Sequence, residues 1–484
     1  MRRAKLTTSV SISVALFFFP ANLSGAARSA DVEAAIDLAH SAPAEVAADA
    51  LIRIAGLDGI AKKRRIELLD QAFALASAAP QPYKRRSGLD HAEGPSVFLT
   101  RVYEQGLDTQ SLQLRAIEAL LPLDAASARE RFREMAPMNL PQLGCDDFLV
   151  YDPARFYEVL GQIAAQAFST KDSRDGEQAS FLGRYLSTIS SAVQVAPAAR
   201  LLRNAPVTDS QFQTLVTGLA GALGRISGDD RSFSSGAREA GPEIRGLITV
   251  IERRQMSPAV LLQAYRLFLA NNLSAARCAD TPSSESAEDP ASFFNSRLAL
   301  PALQPLGENE LAPAKREGQA KGVDWCESPE CQAMRNQYRS LVLREEGGIY
   351  QPAEREQSGW QAKVRDFVNA LFSWTQSSGT SAVEHFREQI GFYNQLLALV
   401  PNGSLREFIF RSYLDFLIQN RPAPENRMEW LFAVSQLVGR VSLDAGGLGQ
   451  IAEDLRRAND PVISLYMLLA AVAPQPIGEV TLRL

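Results

Sequence analysis

With 484 residues, 46% hydrophobic and 22% charged side chains, the chain has the proportions of a core-forming globular protein, which excludes wholesale disorder and a membrane-embedded bundle. Its net charge is −5, and its local basic runs, at 62–65 and 84–86, are short, set in a mixed background and read as solvated helix faces. This excludes the concentrated basic face that tracks nucleic-acid phosphates, so no nucleic-acid partner is expected.

The first residues carry Arg2, Arg3 and Lys5, then a largely apolar run over 6–19, then the small residues Ser24, Gly25 and Ala26. That order reads as a secretory leader with cleavage after Ala26. The run is too short and too diluted by Ser and Thr to remain as an anchor, no cysteine lies near it for lipid attachment, and no later run is apolar enough to span a bilayer. The mature chain is expected outside the cytoplasm, in the periplasm or the extracellular space, without a transmembrane segment.

Over 31–136 the spacing predicts N-terminal helical hairpins, with helices at 31–40, 43–55, 59–79, 111–121 and 125–135. Ala47, Ala50, Leu51 and Ile54, and then Ile66, Leu69, Phe73 and Ala76, follow the three-and-four spacing of an apolar helix stripe. These alanine-rich pairs resemble tetratricopeptide-like antiparallel hairpins, which implies an α-solenoid, although no repeat of fixed period aligns. A middle helical region spans 137–278. Asp152 before Pro153 is a strong helix start, since the carboxylate caps free amides and proline at the first position loses no helical bond. The same punctuation returns at Ser257-Pro258 and Asp460-Pro461. Breaks are expected at 87–96, 227–241 and 347–359. A Pro/Ser/Glu-rich loop or linker occupies 279–325, followed by a C-terminal helical region over 326–476, whose aromatic stripes read as core. In the tail, 477–484, alternating Val480, Leu482 and Leu484 hint at a short strand.

The four cysteines are Cys145, Cys278, Cys326 and Cys331. An even number in an exported chain predicts two disulfides; of the three pairings that four cysteines permit, proximity favours Cys326 with Cys331, with Cys145 and Cys278 as the remaining pair. In CESPEC, Ser328 caps a helix starting at Pro329, with Cys331 in its first turn. A redox thiol pair normally has two intervening residues where this one has four, so a structural bridge is expected.

Catalytic, metal and cofactor signatures are missing. The histidines, His40, His91 and His385, are scattered, outside HExxH spacing, and read as surface residues; no GxSxG elbow or phosphate-binding glycine loop occurs. The segment 446–455 shares Gly, Leu and Gln with lytic transglycosylases, but in REQSGW the Glu and Ser are separated by Gln, so the likeness ends there. Adjacent acids, Asp146–Asp147, Asp229–Asp230 and Glu345–Glu346, read as turn or cap residues.

The expectation is an all-α, multi-helical array of antiparallel helix pairs with one long irregular insertion. It would serve as an exported scaffold that binds a protein or an envelope polymer and needs no cofactor. The alternative is an envelope glycan hydrolase that sets paired carboxylates in a helical groove, recognisable by Trp325, Trp360, Trp374 or Trp430 beside acids.

Overall fold

The computed structural model describes residues 25–79, 84–86, 105–138, 140–143, 147–226, 230–273, 289–298, 303–307, 326, 328–344, 350–352, 359–376, 380–401, 403–421, 427–443 and 460–472. The fold is all-α. Its first half comprises α1 (Gly25–Ser41), α2 (Ala44–Ala55), α3 (Lys62–Ala76), α4 (Thr109–Leu120), α5 (Ala125–Glu134), α6 (Pro153–Gln166), α7 (Thr170–Arg174), α8 (Glu177–Leu186), α9 (Val195–Arg203), α10 (Asp209–Leu223), α11 (Asp230–Arg253) and α12 (Ala259–Leu273). A short α13 (Pro290–Phe293) follows, then α14 (Pro329–Arg339), α15 (Trp360–Ser373), α16 (Ala382–Leu399), α17 (Ser404–Gln419), α18 (Arg427–Leu443) and α19 (Pro461–Val472). None of the described helices is long and apolar enough to cross a membrane.

The cap chemistry sets the helix starts. Asp152 accepts from the Ala154 amide at 2.9 Å, Ser328 from the Cys331 amide at 3.1 Å, and Asp460 from the Val462 and Ile463 amides at 2.9 and 3.1 Å. Asp108 does the same for α4 through the Ser111 amide at 2.9 Å, which starts that helix ahead of the expected Ser111. Side-chain carboxylates and hydroxyls satisfy amides that the helix itself cannot.

Two expectations are corrected. The basic run Lys84–Arg86 is not a helix face: it is strand β1, paired antiparallel with β2 (Asp147–Leu149). A second small pair joins β3 (Val342–Arg344) to β4 (Tyr350–Pro352). The Ser/Gly-rich stretch at 227–241 is not a break from Asp230 onward, because α11 runs through it and carries Pro242 internally. Its glycines are there for close approach. A Cβ at Gly236 would stand 2.7 Å from the backbone oxygen of Ala192, and one at Gly241 would stand 2.8 Å from the Phe293 ring. The helix therefore lies backbone to backbone against the 3-10 turn Ala192–Gln194.

From α2 to α11 each helix packs on the next, the next but one, or both: α2 on α3 and α4, α3 on α4, α4 on α5 and α6, α6 on α8, α8 on α10, α9 on α10 and α11, α10 on α12. From α14 to α19 each helix packs on the next, and α15 also on α17. The last helix, α19, then packs on α1 and α2, so the C-terminal run joins the N-terminal edge of the array. Buried charges sit at that seam. Arg427 Nε meets Glu45 Oε1 at 2.8 Å, and the Glu45 side chain is only 1% exposed. One turn along α2, Asp49 receives Arg115 Nη2 at 2.6 Å and Arg53 Nη1 at 3.8 Å. Tyr466 of α19 is buried over the same four groups, Asp49, Arg53, Glu45 and Arg115, and burial pushes its hydroxyl pKa up.

The core follows as one contiguous set of buried side chains from Ala35 to Leu469. Its aromatic centres are Phe132, Phe156, Phe181 and Tyr185 in the first half and the stacked Tyr393–Tyr413 pair, at 4.8 Å, in the second.

Arg427→Met strands the buried Glu45 carboxylate and is expected to cost about 3–5 kcal/mol in urea unfolding, with part of that loss recovered in the Glu45→Gln/Arg427→Met double variant. Gly236→Ala is expected to cost about 1–3 kcal/mol by overpacking.

Candidate functional site

Two kinds of site emerge, and they lie on different helices. The first is a pair of grooves along α8. One, of about 400 Å³, opens between α8 and α10 and is lined by Gly176, Ala179, Gly183, Gln211, Thr214 and Gly218, among others. The other, of about 410 Å³, lies between α6 and α9, with Tyr157, Glu158, Gly161, Gln162, Arg200 and Asn204 on its walls. Small residues open the first. At Gly218 a Cβ would meet nothing within 4 Å, and at Gly183 it would make only an ordinary contact with Leu215. Gln178 donates to the Ala164 carbonyl at 2.6 Å and Gln211 to the Ser173 carbonyl at 2.9 Å, which fixes the walls. Arg200 is committed to Glu243 at 2.9 Å and Glu158 to Arg155 at 3.0 Å. Glu158 is the one acid lining either groove, so neither groove presents paired carboxylates.

The second site is a buried proton-holding pair in the C-terminal helices. A reciprocal cap fixes the start of α16: the Glu384 amide donates to Ser381 Oγ at 3.2 Å, and the Ser381 amide donates to the Glu384 carboxylate at 2.9 Å. His385 and Glu388, three residues apart, then share one helix face. His385 Nε2–H donates to the Trp374 carbonyl at 3.1 Å, and Gln389 donates to the Leu371 and Trp374 carbonyls at 2.9 and 3.1 Å, so both close the C-terminal end of α15. The Trp374 ring stands edge-on to the imidazole at 4.7 Å. That leaves His385 Nδ1 facing Glu388 Oε2 at 4.0 Å. Neither atom, nor Trp374 Nε1, has a hydrogen-bond partner among the described residues.

Burial disfavours the charged form of both groups. It is the main cause that pushes the Glu388 carboxyl up to about 7, reinforced by Glu384 and Glu330 and opposed by a Ser328 hydrogen bond and by Arg335. Burial also pulls the His385 pKa down, against the bond to Trp374. A carboxyl near neutrality suits proton transfer, yet this pair lines neither groove.

The Cys326–Cys331 disulfide is present, with Cα atoms 5.3 Å apart. Cys145 and Cys278 lie outside the described residues, as do His91, Asp146, Asp229, Glu345, Glu346, Trp325, the 446–455 segment, the 477–484 tail and most of 279–325. His40 is exposed as expected. His385 is the correction: it is buried, because α16 turns it onto the end of α15. Trp360 and Trp430 are core residues whose indole N–H groups donate to the Leu341 and Leu417 carbonyls at 3.2 and 2.8 Å. Of the four tryptophans only Trp374 meets the proton-holding pair among the described residues. Sequence reasoning passed over Glu388 because its signal, an acid at helical spacing from a histidine, is shared by many surface helices. Among the described residues no group of His, Cys, Asp and Glu could hold a metal ion.

No family model matches the chain, and no curated protein or solved structure matches it.

The raised Glu388 pKa carries a sign for stability. Between the ordinary carboxylate range and about pH 7 the folded state holds a proton that the unfolded state has lost, so stability falls as pH rises through that window and levels off above it. Urea unfolding from pH 4 to 8 is expected to show this decline in the wild type and a shallower one in Glu388→Gln.

Proposed function

We propose that the protein is an exported helical scaffold that binds a polypeptide partner along the two neighbouring grooves flanking α8. The observation that carries this reading is their lining: small residues on the floor, amides and hydroxyls on the walls, and charges already paired. Glycine floors let a backbone approach closely, and Gln162, Asn204, Gln211 and Thr214 offer donors and acceptors to peptide groups. The run of helices packed on neighbours one and two further on supports a solenoid, the architecture that presents extended binding surfaces. Export is supported by the leader-like start of the sequence and by the Cys326–Cys331 bond, which suits an oxidising compartment. Cleavage after Ala26 would trim α1 by its first two residues. The hydrolase alternative draws less support, since hydrolysis of a glycan needs two carboxylates across one groove.

A photocrosslinking residue at Thr214, on the wall of the α8–α10 groove, is expected to capture a discrete polypeptide in cells. Gly218→Leu, which extends into open space, should cut that capture at least about tenfold with the unfolding midpoint unchanged. Equal capture by the two chains would remove the groove from consideration.

A further inference from the structure

Unequal charge pairing polarises the α6–α9 groove. Glu158 and Arg200 are the only charged residues lining either groove among the described residues, and they stand on opposite walls, Glu158 on α6 and Arg200 on α9. Glu158 shares its partner: Arg155 meets it at 3.0 Å and also pairs with Glu118, so two carboxylates divide one guanidinium. Arg200 shares in the opposite sense. Its Nε and Nη2 donate to Glu243 Oε1 at 3.0 and 2.9 Å, while Arg203 Nη1 reaches Glu243 Oε2 at 3.0 Å. Two acids against one arginine leave −1 on the α6 wall, and two arginines against one acid leave +1 on the α9 wall.

The α9 wall also holds its charge in place. The side-on pair with Glu243 fixes the Arg200 guanidinium and leaves its Nη1 without a partner among the described residues, on a side chain that is 37% exposed. Gly246 on α11 makes room for the second arginine, since a Cβ there would stand 2.6 Å from Arg203 Nη1. A guanidinium oriented in advance, with donors to spare, loses little freedom on meeting a carboxylate. The lining follows α6 from Ala154 to Gln166, about 18 Å of helix, which is the length of about five or six residues of extended chain. Successive side chains of such a segment point to opposite sides, so neighbouring residues reach opposite walls.

We infer that the α6–α9 groove takes an extended polypeptide segment carrying an acidic and a basic side chain on neighbouring residues, the acid met by Arg200 and the base by Glu158. This preference rests on the scaffold reading above and narrows its partner to a charge-alternating segment.

The test is calorimetric titration of the full chain with a hexapeptide of alanine and serine around a central Glu-Lys pair, acetylated and amidated so that its ends carry no charge. Saturable binding is expected. Glutamine in place of the peptide's glutamate should weaken it at least about tenfold, as should Arg200→Gln, since a hydrogen bond to a charged group is lost in each. The two changes together should weaken it little further than either alone. Arg203 remains on Glu243 in Arg200→Gln, so the acid keeps a partner, and the change in the peptide needs no variant protein. An alanine inserted between the glutamate and the lysine, which turns both toward one wall, should also weaken binding. No saturable binding, equal affinity for the glutamate and glutamine peptides, or displacement by hexa-alanine with a free C-terminal carboxylate would overturn the preference. Capture through Thr214 reads the scaffold proposal separately: retained capture without a glutamate preference overturns the preference alone, and loss of both overturns the two together.

Discussion

The buried pairing of Glu45 with Arg427 is the constraint on which the arrangement of the two halves rests. A carboxylate with almost no exposure loses its hydration on folding, and only an opposite charge at contact distance offsets that loss. Arg427 supplies it at 2.8 Å from the first residue of α18. Asp49, one turn on, is met by Arg115 of α4 and by Arg53, so both acids of α2 face an arginine. Tyr466 completes the seal from α19. Apolar burial holds the neighbouring helices together without choosing among partners, whereas unpaired charge here would select strongly against any other docking of α18 and α19.

That seam changes what the order of helices means. A chain that added helices only at its growing end would leave α1 exposed, but α19 covers it. The two helical runs thus meet at α1, α2 and α19, and the apolar surface of both terminal elements is buried in one core. Within the first run, glycine decides how close neighbours come. Gly236 brings α11 against the Ala192–Gln194 turn, while Gly218 on α10 faces open space and floors a groove. The same residue type closes one interface and leaves another accessible.

The grooves and the titrating chemistry are separated. The grooves along α8 contain paired charges and neutral polar groups, and the group that titrates near neutrality is buried where α16 meets the end of α15. Glu388 is raised because burial and two neighbouring acids outweigh Ser328 and Arg335, and His385 is lowered because burial outweighs its bond to the Trp374 carbonyl at the end of α15. Proton occupancy there reports on the fit of these helices.

Periodicity and caps were readable from the sequence because both are local. Stripes such as Phe156, Val159, Leu160 and Ile163 bury one helix face whatever the partner, and Asp152-Pro153, Ser328-Pro329 and Asp460-Pro461 act within a single turn. The Cys326–Cys331 bridge was legible for the same reason, being five residues apart. The helix through 227–241 was hidden, since serine and glycine read as a break until the Ala192 backbone is placed against Gly236. The seam, the grooves and the Glu388 environment belonged to tertiary structure alone. Each depends on groups far apart in the chain, such as Glu45 with Arg427 or Ser328 with Glu388, and a carboxylate's burial and partners do not exist until the helices carrying them have packed.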